Sequence, residues 1–130
     1  MKTRSMRSLT LMVFGASVMM LASSVQAQNQ SKVCFYEGIN YSGASYCAAP
    51  GIDTPDADQI RINNRIVSWN KRIQSIQLQG DAKVTVWEGK NYTGPSINII
   101  YSTPNLAQVK TTSHGVRDWS NAISSYKPHY

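Results

Sequence analysis

Three sets of residues have side chains and spacings that could do chemistry. Ser113, His114 and Asp118 lie close together and supply, on paper, a nucleophile, a base and an orienting acid. A serine hydrolase also needs a sharp elbow to expose the nucleophile, and no such elbow and no second histidine near a strand end accompany them. Serine-rich loops produce such triplets by chance. Glu37 and Glu88 pose as the paired carboxylates of glycoside hydrolysis. They occupy matching places in two similar segments, so a shared structural duty explains both, while a catalytic pair does not. The third set, Arg61 to Arg72 (RINNRIVSWNKR), interleaves four basic residues with Trp69, as a surface that stacks on bases or sugars would. The matching Trp119 has no such basic company, which favours a packing role for both tryptophans. Catalysis and nucleic-acid binding are therefore not expected.

The N-terminus changes the charge balance. Lys2, Arg4 and Arg7 precede an apolar run from Leu9 to about Ala22, and Val25 and Ala27 are small residues at the positions a signal peptidase reads. That layout predicts a signal peptide over residues 1–27. The run is short of the ~20 residues that span a bilayer, and serines dilute it. No transmembrane segment is expected in the mature chain, and the product is secreted or periplasmic. Of thirteen Lys and Arg, three lie in this leader, so ten face seven Asp and Glu and the mature net charge is about +3. A surface that mildly basic does not argue for nucleic acid. Export makes a Cys34–Cys47 disulfide the default. It closes a loop of about fourteen residues, for which chain entropy predicts about 3 kcal/mol. Zinc is not expected, because His114 and His129, the only other soft ligands, lie far away in sequence.

The remaining chain repeats itself. Val33–Cys47 (VCFYEGINYSGASYC) aligns with Val84–Asn98 (VTVWEGKNYTGPSIN), and Trp69–Ser75 with Trp119–Ser125 at an offset one residue shorter. Two units of about fifty residues fill the mature chain, one at about 32–79 and the other at about 82–128, within a single domain over 28–130. Strands are predicted at Lys32–Tyr36, Ser45–Ala48, Ile73–Leu78, Lys83–Trp87, Ser96–Ile100 and Ile123–Lys127, from alternation and β-forming residues. Ala49–Asn64 and Ser102–Arg117 read as long irregular loops, with a short helical turn fitting Thr54–Ile60. In the first unit's turn, Gly38 and Gly43 supply backbone angles that other residues adopt at a cost, and Asn40 tolerates the left-handed region. Tyr41 can cover Gly43, and Ser75 and Ser125 are placed to tie the folded hairpins by hydrogen bonds.

At these residues the sequence resembles the βγ-crystallins. Their signature is an aromatic, four residues, an aromatic, one residue and glycine. It occurs as Tyr36…Tyr41-Ser42-Gly43 and as Trp87…Tyr92-Thr93-Gly94, each followed by the hairpin-tying serine, Ser75 or Ser125. The resemblance covers about Val33 to Lys127 and implies an all-β sandwich of two Greek keys.

Microbial members bind calcium through a stretch of two Asp/Asn, two variable residues, Ser/Thr and Ser, plus a carbonyl from the other key's hairpin. Lys71 and Gln74 spoil the first stretch, Asn70–Ser75. The second, Ser120–Ser125, departs only at its first position. Asn121 and Ser124 would offer side-chain oxygens there, Ala122 a carbonyl and Glu37 an oxygen from the first hairpin. Nearly all are neutral, so at most one weak calcium site follows, and no cofactor is required. The expectation is an exported, monomeric, non-enzymatic binding or structural protein. The family also includes secreted metalloprotease inhibitors, so an inhibitor with a protease partner is one alternative. Its docking loop would be Pro50–Thr54, braced by Cys47, or Ser102–Gln108. A stability-based envelope or stress-protective protein is the other.

Overall fold

The computed structural model describes residues 30–110 and 117–130. The expected signal peptide, Ser113 and His114 lie outside them. Ser31–Tyr130 make one compact unit. Its strands are β1 (Lys32–Gly38), β2 (Ser42–Ala48), β3 (Ile60–Ile62), β4 (Arg65–Val67), β5 (Ser75–Gln79), β6 (Lys83–Gly89), β7 (Thr93–Ile99) and β8 (Ser125–His129). They form two antiparallel three-stranded sheets, β2-β1-β5 and β7-β6-β8, and a separate hairpin, β3-β4.

The two three-stranded sheets share one pairing register. Tyr36 pairs with Ser45 and Ser75, as Trp87 pairs with Ser96 and Ser125. The register shifts in each key at the same place, between Tyr36 and Gly38 and between Trp87 and Gly89. Each key also reaches across to the other's sheet: Thr54 bridges Tyr126, and Thr103 bridges Ile76. The central residues alternate as a strand with one buried face must. Val33, Phe35, Val84 and Val86 point into the core with Ile73, Ile76, Leu106 and Ile123. Trp69 and Trp119 are buried in the same core, which is the packing role the repeat favoured.

All six predicted strands are present, with ends shifted by at most three residues. β5 begins at Ser75 rather than Ile73, because Gln74 N–H donates to Tyr36 O and Ile73 O accepts from Asn121 N–H. The Ile73 carbonyl thus bonds a loop residue of the second key, while Gln74 N–H still bonds β1. β7 begins at Thr93, directly after the hairpin turn. The 3-10 turn Ala57–Gln59 falls where a short helical turn was expected, whereas the β3-β4 hairpin, which begins inside the stretch read as irregular loop, was not expected. Asp56 caps the 3-10 turn by accepting Asp58 N–H at 2.9 Å. The hairpin turns on Asn63 and Asn64, both with positive φ (50° and 64°), the backbone a two-residue turn of this type requires.

Candidate functional site

The same folded hairpin follows the first strand of each key. Asn40 and Tyr41 lie in the left-handed region (φ 55° and 57°), as do Asn91 and Tyr92 (56° and 59°). For a tyrosine this backbone is unfavourable and must be held from outside. One buried hydroxyl holds each. Ser75 Oγ donates to Gly38 O at 2.6 Å and accepts Tyr41 N–H at 3.1 Å. Ser125 Oγ does the same for Gly89 O at 2.6 Å and Tyr92 N–H at 3.0 Å. The tyrosines then stand edge-on to Tyr36 and Trp87, with ring centres 5.7 and 5.1 Å apart. Gly43 and Gly94 have φ of 80° and 78°, the angles the sequence reading assigned to glycine. Gly38 is glycine for a different reason, a correction to that reading: a Cβ there would sit 2.5 Å from Ser42 Oγ and 3.0 Å from Ser42 O.

The set expected to hold calcium is joined by backbone. Asn121 N–H donates to Ile73 O at 3.0 Å, and Gln74 N–H donates to Tyr36 O at 2.9 Å, which brings Asn121 toward the residue before Glu37. Ala122 and Ser124 are buried, while Asn121 is exposed with φ 56°. The Glu37 carboxylate is occupied, paired with Arg72 at 2.7 Å. Among the described residues no group of three or more His, Cys, Asp and Glu is close enough to share a metal. The other polar groups of this set, the Asn121 and Ser124 side chains and the Ala122 carbonyl, are uncharged. The matching carboxylate of the second key, Glu88, pairs with Arg117 at 2.7 Å. Its other oxygen and Asn70 Oδ1 are buried without hydrogen-bond partners among the described residues. Each of the two glutamates considered as a hydrolytic pair is therefore bound into its own key by an arginine. Neither arginine pairing was foreseen, since Arg72 and Arg117 lie at non-equivalent positions of the repeat.

The second candidate is the loop after β2. Cys34 and Cys47 stand opposite each other in β1 and β2 and form a disulfide with Cα atoms 4.0 Å apart. Two residues further on, Ala49-Pro50-Gly51-Ile52 makes a tight turn. Ile52 N–H donates to Ala49 O at 3.1 Å, and Gly51 has φ 90°. Proline second and a left-handed glycine third are the residues a type II turn selects. The turn is pinned to β8: Gly51 N–H donates to Pro128 O at 2.9 Å, and Thr54 exchanges two backbone hydrogen bonds with Tyr126. Beyond it, Asn91 N–H donates to Pro55 O, and Lys90 Nζ lies 2.7 Å from Asp58 and 3.4 Å from Asp56. The Lys90 ammonium, ahead of Ser68, holds the Asp58 carboxyl below its ordinary range. From this fixed base Ile52 projects with 61% of its surface exposed.

Clefts flank the turn on two sides. One is lined by Pro50, Gly51, Asp53, Lys127 and His129, the other by Ala49, Ile52, Thr54 and Arg61. Tyr46 and Tyr126 also line the second, their hydroxyls 2.6 Å apart. Burial, then the neighbouring Tyr126, pushes the Tyr46 phenol well above its ordinary value. The alternative loop is anchored too, by Thr103 to Ile76 and by buried Leu106, but no disulfide braces it. Tyr101 beside it is 78% exposed.

Comparison with known proteins agrees with this geometry. The fold is that of the βγ-crystallin domains. The chain is similar to a βγ-crystallin domain from Clostridium beijerinckii at 26% identity, with a TM-score of 0.55 over 75% of this chain and 97% of that one. A βγ-crystallin from an archaeon matches at 27% identity and a TM-score of 0.52, over 76% and 98%. A domain from Flavobacterium johnsoniae shares the fold at 21% identity and a TM-score of 0.57, over 74% and 91%. No curated protein sequence matches the chain. The family model described as Peptidase inhibitor family I36 matches residues 22–99, more than half of the chain, and the chain belongs to that family. Membership fits a non-enzymatic binding protein and makes a protease the kind of partner to consider. Among the described residues no helix is long and apolar enough to cross a membrane.

Proposed function

We propose that this chain is an exported, non-enzymatic inhibitor of a secreted metalloprotease, and that the Ala49–Asp53 turn enters the protease's active-site cleft. The observation that carries the reading is Ile52, a large apolar side chain held out on a turn that a disulfide and three backbone hydrogen bonds fix in place. An inhibitor gains affinity when its docking segment is ordered before binding, since little entropy remains to be lost. An exposed apolar anchor on a rigid base has the form of an interface hot spot. The family match and the cross-linked first key support the same reading, as does an expected extracellular setting.

The test is inhibition of a panel of secreted zinc, serine and cysteine peptidases by the oxidised protein and by Ile52→Ala. Inhibition is expected in the zinc class. Loss of a hot-spot side chain typically costs 2 kcal/mol or more, so Ile52→Ala should weaken inhibition by about 30-fold. Equal inhibition by both proteins would move the docking segment elsewhere, with Ser102–Gln108 next in line.

A second reading concerns calcium. On this reading the set of Glu37, Asn121, Ala122 and Ser124 holds at most one calcium ion, and that weakly, because its carboxylate is paired with Arg72 and the remaining groups are neutral. Calcium titration followed by thermal melting should half-saturate at micromolar concentration or above, and Asn121→Ala should abolish the response. Tight binding of two ions would contradict this assignment.

A further inference from the structure

The β3-β4 hairpin carries two arginines, Arg61 and Arg65, that the inhibitor reading leaves unused. Arg61 pairs directly across the hairpin with Ile66, so the two side chains leave the same face of the ribbon. The opposite face is turned inward, where Ile60 is buried and Ile62 and Val67 pack on the core. The outward face therefore shows Arg61 beside Ile66, which is 57% exposed. Among the described residues the Arg61 side chain has no hydrogen-bond or ion-pair partner. The acidic residues at the hairpin's base are engaged elsewhere: Asp56 and Asp58 with Lys90, and Asp58 also with Ser68. Arg61 and Ile52 line the same cleft, and Ile66 stands opposite Arg61 on the outward face of the hairpin.

We infer that the docking surface continues from the Ala49–Asp53 turn onto the outward face of β3-β4, where Arg61 takes a carboxylate on the rim of the peptidase's cleft. The inference rests on the inhibitor reading and names the chemistry of the partner's surface: an acidic residue bordered by apolar side chains. An arginine flanked by apolar groups that keep water out is the composition interfaces favour for their strongest contacts. Its fork of donors suits a carboxylate, and an unpaired cation leaves no internal ion pair to break on binding.

The test uses the full mature, oxidised protein against the peptidase that the wild type inhibits. It compares Arg61→Glu, Arg61→Gln and the charge-matched control Lys71→Glu over a range of salt concentrations. Lys71 is exposed and lies outside the cleft. Unchanged melting temperatures establish that the variants fold. Arg61→Glu is expected to weaken inhibition by tenfold or more and to flatten its salt dependence. Arg61→Gln should weaken it less, and Lys71→Glu should leave both nearly as in the wild type. If Arg61→Glu matches Lys71→Glu while Ile52→Ala still destroys inhibition, this inference is overturned and the inhibitor reading stands. If the wild type inhibits no peptidase, both fall.

Discussion

Ser125→Ala is expected to destabilise the protein by roughly 2–5 kcal/mol, far more than loss of one hydroxyl oxygen ordinarily costs. The reason is that this single buried oxygen serves two backbone groups, Gly89 O and Tyr92 N–H. Alanine would leave both without this partner in a partly buried site, at about 1–3 kcal/mol each. It would also release Tyr92 from a left-handed backbone that needs outside support. With total stabilities of about 5–15 kcal/mol for domains of this kind, the change is a large part of the whole. Urea unfolding should show a midpoint shifted well down at unchanged slope. Ser75→Ala should behave alike, because Ser75 makes the same two contacts in the first key. The exposed Ser96 makes a fair control and should change stability by no more than about 0.5 kcal/mol on replacement by alanine. A loss below about 1 kcal/mol for both buried serines would show that the hairpins do not depend on these ties.

The second large effect is expected from the disulfide. Cys34 and Cys47 lie 13 residues apart in sequence, and a loop of this size is worth about 3 kcal/mol in the chain-entropy model. For a domain of about a hundred residues this corresponds to a fall of roughly 10–20 °C in melting temperature after reduction or in Cys34→Ser/Cys47→Ser. The second key places Thr85 and Asn98 at the equivalent pair of positions, so its hairpin stands without a cross-link. Reduction should therefore loosen the first key selectively. Amide exchange should accelerate along β2 and the Ala49–Ile52 turn before it does along β7. The same treatment should weaken inhibition more steeply than it lowers stability, since the braced turn is the docking element. A shift of under about 3 °C would mean that the disulfide contributes little to the folded state.

Much of this architecture was legible in the residues because the chain states its fold twice. Two aromatic-glycine signatures and two Ile-x-Ser strands at matching distance leave little freedom in how the keys are built. The hairpin-tying serines could be located because a folded-back turn must satisfy its polar groups, and only Ser75 and Ser125 stood at the matching places. What escaped were features set by one key alone. Asn63-Asn64 between two short alternating runs is a hairpin signal, but it lies inside a stretch whose prolines and charges read as loop. The Glu37–Arg72 and Glu88–Arg117 pairs join residues distant in sequence and follow no period. Their partners were fixed only when each key folded on itself. Ile52 carried no signal beyond Pro50-Gly51 next to a cysteine. Its exposure depends on Gly51 and Thr54 being pinned to Pro128 and Tyr126, residues some seventy positions away.

The most direct test of the account is to titrate a fixed concentration of an active secreted zinc metalloprotease with the mature, oxidised protein. Residual activity and the integrity of the added protein would be followed together. The account predicts a linear fall in activity that reaches zero near one equivalent, with the protein recovered whole and Ile52→Ala shifting the curve far to the right. Undiminished activity at large excess, or cleavage of the protein as an ordinary substrate, would contradict it.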